Sequence, residues 1–223
     1  MGRVTADLTQ TISAAVGDPL RFQIVRTTPL STDAALRALV EVYAGTGKWD
    51  EFPIDVSCEI HFVGPLEHRV HTPVLPPEKL GLSLPEFVLY LLVDQVADKV
   101  SAMYERHRGA ASNRWRDLAD LVLLVACDDD LDAAGLVAAL EVRARVARSP
   151  MTLPTAMRAP APEWRTGYPA FAAKETLIDR RYHDLDEAIR FVGECLDPVL
   201  SGQVEGGRWS PTLRSWTGGG PNG

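Results

Sequence analysis

Cysteine is scarce. Cys58, Cys127 and Cys195 are the only three in 223 residues, odd in number and far apart, which excludes a disulfide framework and a zinc ribbon and makes a reducing cytoplasm the expected location. Long apolar runs are also lacking: the two longest, Phe87 to Val93 and Leu121 to Cys127, stop at seven residues, against the roughly 18 that a membrane span needs. No charged-then-apolar leader opens the chain, because Arg3, Asp7, Gln10 and Thr11 interrupt it. Basic residues are outnumbered, 23 to 30, for a net charge of -7. A polyanionic partner must therefore be met by a local patch and not by the surface as a whole. No glycine-rich dinucleotide or phosphate-loop pattern is present, and the tail glycines follow no strand.

What remains is an ordinary globular composition, 46% hydrophobic and 24% charged, in a chain long enough for one large domain or a fused pair at about 100–200 residues per folding unit. Residues 20–25 alternate like a strand after the turn Gly17-Asp18-Pro19. Thr32 or Asp33 can cap a helix to about Ala44, with Leu36, Leu39, Val40 and Tyr43 at helical spacing. From Phe52 to Phe62, Ile54, Val56, Cys58 and Ile60 share one face of a strand while Asp55, Ser57, Glu59 and His61 share the other. A Pro-rich connection leads to a short strand at 87–91. Helices then follow from Asp94 to about Gly109, from Asn113 to about Ala126, from about Leu131 to Val146 and from Leu185 to Leu200, with a loop from Ser149 to Trp164. The fold class is α+β: a mixed sheet with helices over 1–92, a helical part over 93–216, and a disordered tail over 217–223.

Three segments can carry chemistry. In Arg114-Trp115-Arg116-Asp117-Leu118-Ala119-Asp120-Leu121, Leu118, Leu121, Val122 and Val125 form the core stripe and Asp117 sits at its edge. An ionised carboxylate there needs a partner, and Arg114, three residues back, is the plain choice. Lys99 and Arg106 lie seven residues apart on the helix that begins at Asp94, either as a solvated face or as a phosphate-binding stripe. Asp55 is on the polar face of its strand, exposed to solvent or else aimed at a metal. His61, His68 and His71 are close enough to raise a zinc site, but their strand and turn settings favour a surface role, and His183-Asp184 reads as a helix start.

In this order, the strand Ile54-Asp55-Val56, the Asp94-x4-Lys99-x6-Arg106 helix and the Arg114-x-Arg116-Asp117-x2-Asp120-Leu121 helix resemble the AbiEii family of nucleotidyltransferase toxins, relatives of the polymerase-beta nucleotidyltransferase superfamily. The resemblance covers residues 1–130 well and the last helix more loosely. Its most specific element is Arg-x-Lys-Asp-x-x-Asp-Leu, with Arg116 here in place of Lys. Arg3-Val4-Thr5-Ala6-Asp7-Leu8-Thr9 matches the second half of the family's first motif, Arg-x-Thr-x-Asp-x-Asp, except that Thr9 replaces the last aspartate; the motif's Gly-Ser pair would lie before Met1.

The resemblance implies transfer of a nucleotide from an NTP to RNA, tRNA above all, in a toxin–antitoxin or abortive-infection system, with a cognate antitoxin as partner and no membrane. It implies Lys99, Asp117 and Asp55 as catalytic, Arg3, Thr5, Lys99 and Arg114 on the nucleotide, and Asp7 and Asp55 on Mg²⁺. A neutral threonine hydroxyl is a weaker ligand for Mg²⁺ than a carboxylate. The alternative is therefore a catalytically impaired remnant, or a non-catalytic binding protein, of the same fold.

Overall fold

A computed structural model describes residues 2–13, 20–30, 35–57, 63–70, 86–106, 109–127, 131–146 and 151–218. It divides into two compact units, Met1–Ile60 and His61–Gly223.

The first unit holds helix α1 (Gly2–Ser13) and an antiparallel meander of β1 (Leu20–Pro29), β2 (Ala35–Ala44) and β3 (Gly47–Ser57), in that order across the sheet. On the central strand Leu36, Ala38, Val40 and Val42 are all buried, at 0–5% exposure. This is a period of two, and it makes β2 a strand where a helix is expected from Thr32 or Asp33 onward. The stripe Leu36, Leu39, Val40 and Tyr43 suits a helix, but the same stretch also alternates, and pairing with a strand on either side satisfies its backbone. The expected caps at Thr32 and Asp33 lie outside the described residues. Gly45, at φ 61°, makes the tight turn from β2 to β3. Phe22 and Phe52 flank the buried row and meet edge to face at 6.4 Å. The expected strand 52–62 is β3, which starts earlier; residues 58–62 lie outside the described residues.

The second unit opens with a short antiparallel pair, β4 (Glu67–Arg69) and β5 (Phe87–Leu89). It continues with α2 (Leu92–Tyr104), α3 (Trp115–Cys127), α4 (Ala133–Val146), α5 (Trp164–Ala172), a 3-10 turn (Arg180–His183) and α6 (Leu185–Leu200), and ends in a hairpin of β6 (Arg208–Ser210) and β7 (Ser215–Thr217). The core is continuous. Val96, Val100 and Met103 of α2, Leu118, Leu121 and Val125 of α3, Leu136 of α4 and Val192 and Leu196 of α6 are buried together. Three aromatic side chains bury their rings there and bond their polar ends: Trp164 Nε1 donates to the Ser112 carbonyl at 2.7 Å, Tyr168 Oη to the Tyr182 carbonyl at 2.8 Å, and Trp209 Nε1 to the Val125 carbonyl at 2.9 Å.

Asp184 caps α6, accepting from the Glu187 amide at 3.0 Å, so His183-Asp184 is a helix start. Asp94 does not cap α2. Leu91 holds the cap position, and the Asp94 carboxylate, 1% exposed, accepts from the Val63 amide at 3.1 Å. α5 and the terminal hairpin have no counterpart in the sequence reading. No helix among the described residues is long and apolar enough to cross a membrane.

Candidate functional site

α2 and α3 pack through their apolar stripes, and the polar edges of those stripes meet beside the contact. Lys99 of α2 points Nζ to Oδ2 of Asp120 at 2.5 Å and to Oδ1 of Asp117 at 3.8 Å. Asp117 and Asp120 are three residues apart on α3, hence on one side of the helix. Arg114, just before the first turn of α3, donates from Nε to Oδ2 of Asp117 at 2.6 Å. The Asp117 side chain is 7% exposed while that of Arg114 is 56% exposed, so this pair joins a buried carboxylate to a solvated cation. Burial pushes the Asp117 carboxyl upward; Arg114 and then Lys99 pull it down, and Asp120 adds to the rise. The outcome is two carboxylates around one lysine, with the carboxyl of the more buried one raised above its ordinary value.

Other polar groups gather on the same helix. Asp98 takes Nε of Arg143 of α4 at 2.8 Å, and burial raises the Asp98 carboxyl. Arg106 lies beyond the end of α2 and turns both Nε and Nη2 to the Gly109 carbonyl, at 3.1 and 2.6 Å. The expected stripe joining Lys99 and Arg106 is therefore broken, because the helix stops at Tyr104.

The remaining expected residues belong to the first unit. Asp55 of β3 is gripped on both oxygens by Arg37 of β2, at 2.7 Å each, on the exposed face of the sheet, and Arg37 lowers its carboxyl. Arg3, Thr5 and Asp7 are on α1. In a helix, positions two apart diverge by about 200°, so Thr5 and Thr9 share a side that Asp7 does not. The Thr9 hydroxyl donates to the Thr5 carbonyl at 2.8 Å, and the Thr11 hydroxyl to that of Asp7 at 2.9 Å. Of His61, His68 and His71, His68 pairs through Nδ1 with Glu86 at 3.1 Å, and the other two lie outside the described residues. Among the described residues no three His, Cys, Asp or Glu side chains gather as metal ligands would.

Lys99 and Asp117 thus come together in the second unit, with Arg114 beside them. Asp120, quoted in the motif of the resemblance but given no role by it, joins them as the nearest partner of Lys99. A further group has no local signal at all: Phe171, Glu175 and Ile178, from the end of α5 and the turn after it, line a cavity with Arg116, Asp120 and Leu123 of α3.

The sequence model of one family, described as nucleotidyl transferase AbiEii toxin of a type IV toxin–antitoxin system, matches residues 3–190. The chain belongs to the AbiEii family. The match runs from α1 into α6, across both units, and includes Lys99, Arg114, Asp117 and Asp120. AbiEii membership makes the chain a nucleotidyltransferase-like protein of the toxin–antitoxin kind. No curated protein matches it.

Proposed function

We propose that this chain transfers a nucleotide from a nucleoside triphosphate to an RNA hydroxyl, with tRNA the first acceptor to test, and that a cognate antitoxin restrains it in the cytoplasm. The observation that carries this reading is Lys99 held between Asp117 and Asp120 on adjoining helices. Lys99 is a compact cation at 23% side-chain exposure, so a phosphate can take the place of an aspartate oxygen at its Nζ. Arg114 supplies a second, more exposed cation within reach of the same ligand. The acceptor oxygen forms a bond to the α-phosphorus as the bond to the bridging oxygen breaks, and pyrophosphate leaves with the electron pair. The acceptor proton passes to Asp117, whose carboxyl burial raises above its ordinary value. Asp7 and Asp55 would hold the Mg²⁺ that the resemblance implies, two carboxylates with the triphosphate and water being an ordinary set for that ion, and Asp55 would exchange Arg37 for it.

The test is transfer of label from an α-labelled NTP to bulk tRNA by the purified chain. Transfer that disappears in Lys99→Ala and Asp117→Asn is the expected result. Transfer unchanged in both variants would remove the cluster from the reaction.

A second reading, a non-catalytic remnant that still binds nucleotide, is favoured by one observation. On α1 Thr5 and Asp7 do not share a side, so the two matched positions face different ways. NTP binding without any transfer to RNA would decide for it, and rapid labelling would end it.

A further inference from the structure

A cavity of about 210 Å³ lies beside the Lys99 cluster, between α3 and the chain that follows α5. Asp120 belongs to both, binding Lys99 at 2.5 Å and lining the cavity. Leu123, Phe171 and Ile178 supply apolar walls, and Ile178 is 5% exposed. Arg116 and Glu175 add opposite charges to a lining that Ala119 and Leu177 share. The side chains of Arg116 and Glu175 have no ion-pair or hydrogen-bond partner among the described residues. Two unpaired opposite charges over apolar walls make a site for something with flat apolar faces and a polar edge.

The size narrows the choice. The cavity is smaller than the ~300 Å³ at which sites for drug-sized ligands begin, yet several times the ~30 Å³ share of one water molecule. It has room for a single ring system and not for a whole nucleotide. A nucleobase has apolar faces for Phe171 to contact and an edge of donors and acceptors. A carboxylate can only accept and a guanidinium can only donate, so Glu175 and Arg116 together sort base edges by the order of those groups.

We infer that this cavity seats the base of the incoming nucleoside triphosphate, and that Glu175 selects bases with an exocyclic amino group over uracil. The inference rests on the proposed triphosphate site at Lys99, which Asp120 joins to the cavity. An amino group donates to Glu175 while a ring nitrogen or carbonyl accepts from Arg116. In the register that seats cytosine, uracil sets its 4-carbonyl against the carboxylate and its N3–H against the guanidinium, so neither contact forms. Glu175 is thus a specificity-determining residue.

Equilibrium binding of ATP, GTP, CTP and UTP to the full chain tests this, with Glu175→Gln, Glu175→Lys and Lys99→Ala as variants. One good directional hydrogen-bond pair discriminates between bases by about tenfold or more, so the wild type should bind at least one amino-bearing triphosphate that much more tightly than UTP. Glu175→Gln should bring the ratio close to one, and Glu175→Lys, which offers donors, should turn it toward UTP. Lys99→Ala should weaken all four alike. An unchanged ratio in both Glu175 variants overturns the inference and leaves the triphosphate site standing. Failure of the wild type to bind any triphosphate overturns both.

Discussion

Lys99 Nζ stands 3.8 Å from Oδ1 of Asp117, while the other oxygen of that carboxylate takes Arg114 at 2.6 Å. One nearly buried carboxylate is thus met by two cations, one from the neighbouring helix and one from its own. The nearer contact of Lys99 is to Asp120, at 2.5 Å, so the lysine is held on two sides and the helix pair is tied at its polar edge as well as through its core.

The pair of Arg114 and Asp117 should show measurable coupling. Arg114→Ala removes the closest donor to a buried carboxylate and should destabilise the fold by about 1–3 kcal/mol, toward the lower end because Arg114 is solvated. The same change made in an Asp117→Asn background should cost less. Urea unfolding of the four proteins in the cycle measures this, and additivity to within about 0.5 kcal/mol would mean that the contact contributes nothing.

Acid titration should separate the raised carboxyls from a lowered one such as Asp55. Burial raises Asp98, Asp117 and Asp197 from 3.8, so each binds its proton more tightly in the folded chain than in the unfolded one. Their contribution is full below 3.8 and is lost as pH rises through the folded value. Arg37 lowers Asp55, so its contribution is present above 3.8 and is lost as pH falls through the folded value, and it is small at an exposed pair. Asp117→Asn should therefore flatten the fall in stability just above pH 3.8. Chemical unfolding at several pH values checks it, and a steeper fall in the variant would contradict the burial argument.

The terminal hairpin should prove structural. Trp209 is 1% exposed and bonded to the Val125 carbonyl of α3, and Trp216 Nε1 donates to the Cys195 carbonyl of α6 at 2.8 Å. Trp209→Ala should cost about 3–5 kcal/mol, the range for deleting a large buried aromatic, and Trp209→Phe less. A loss under about 1 kcal/mol for the alanine variant, read from thermal or urea unfolding, would show that the hairpin is only loosely attached.

Thiol reactivity should follow burial. Cys127 is exposed, whereas Cys195 is buried and its thiol is pushed up by burial, which leaves little reactive thiolate. In a Cys58→Ser background, a thiol reagent should modify one cysteine quickly and the second only on unfolding. Equal fast reaction of both would contradict the packing of α6.

Four helices of the second unit, and the polar residues at their edges, are written in the local sequence. α2, α3, α4 and α6 each carry an apolar stripe at helical spacing, a signal complete within one turn or two, so no other part of the chain is needed to read it. Lys99, Asp117 and the partner Arg114 were legible for the same reason, since the edge of a stripe is fixed once the stripe is. The remainder follows from how distant segments pack. Residues 36–43 suit a helix or a strand by pattern, and it was β1 and β3, bonded along both edges, that made β2 a strand. The choice of Asp120 as the nearest partner of Lys99, and the gathering of Glu175 and Phe171 around Arg116, depend on how helices meet. Contacts between residues tens of positions apart come from packing whole faces together, and no local spacing records them.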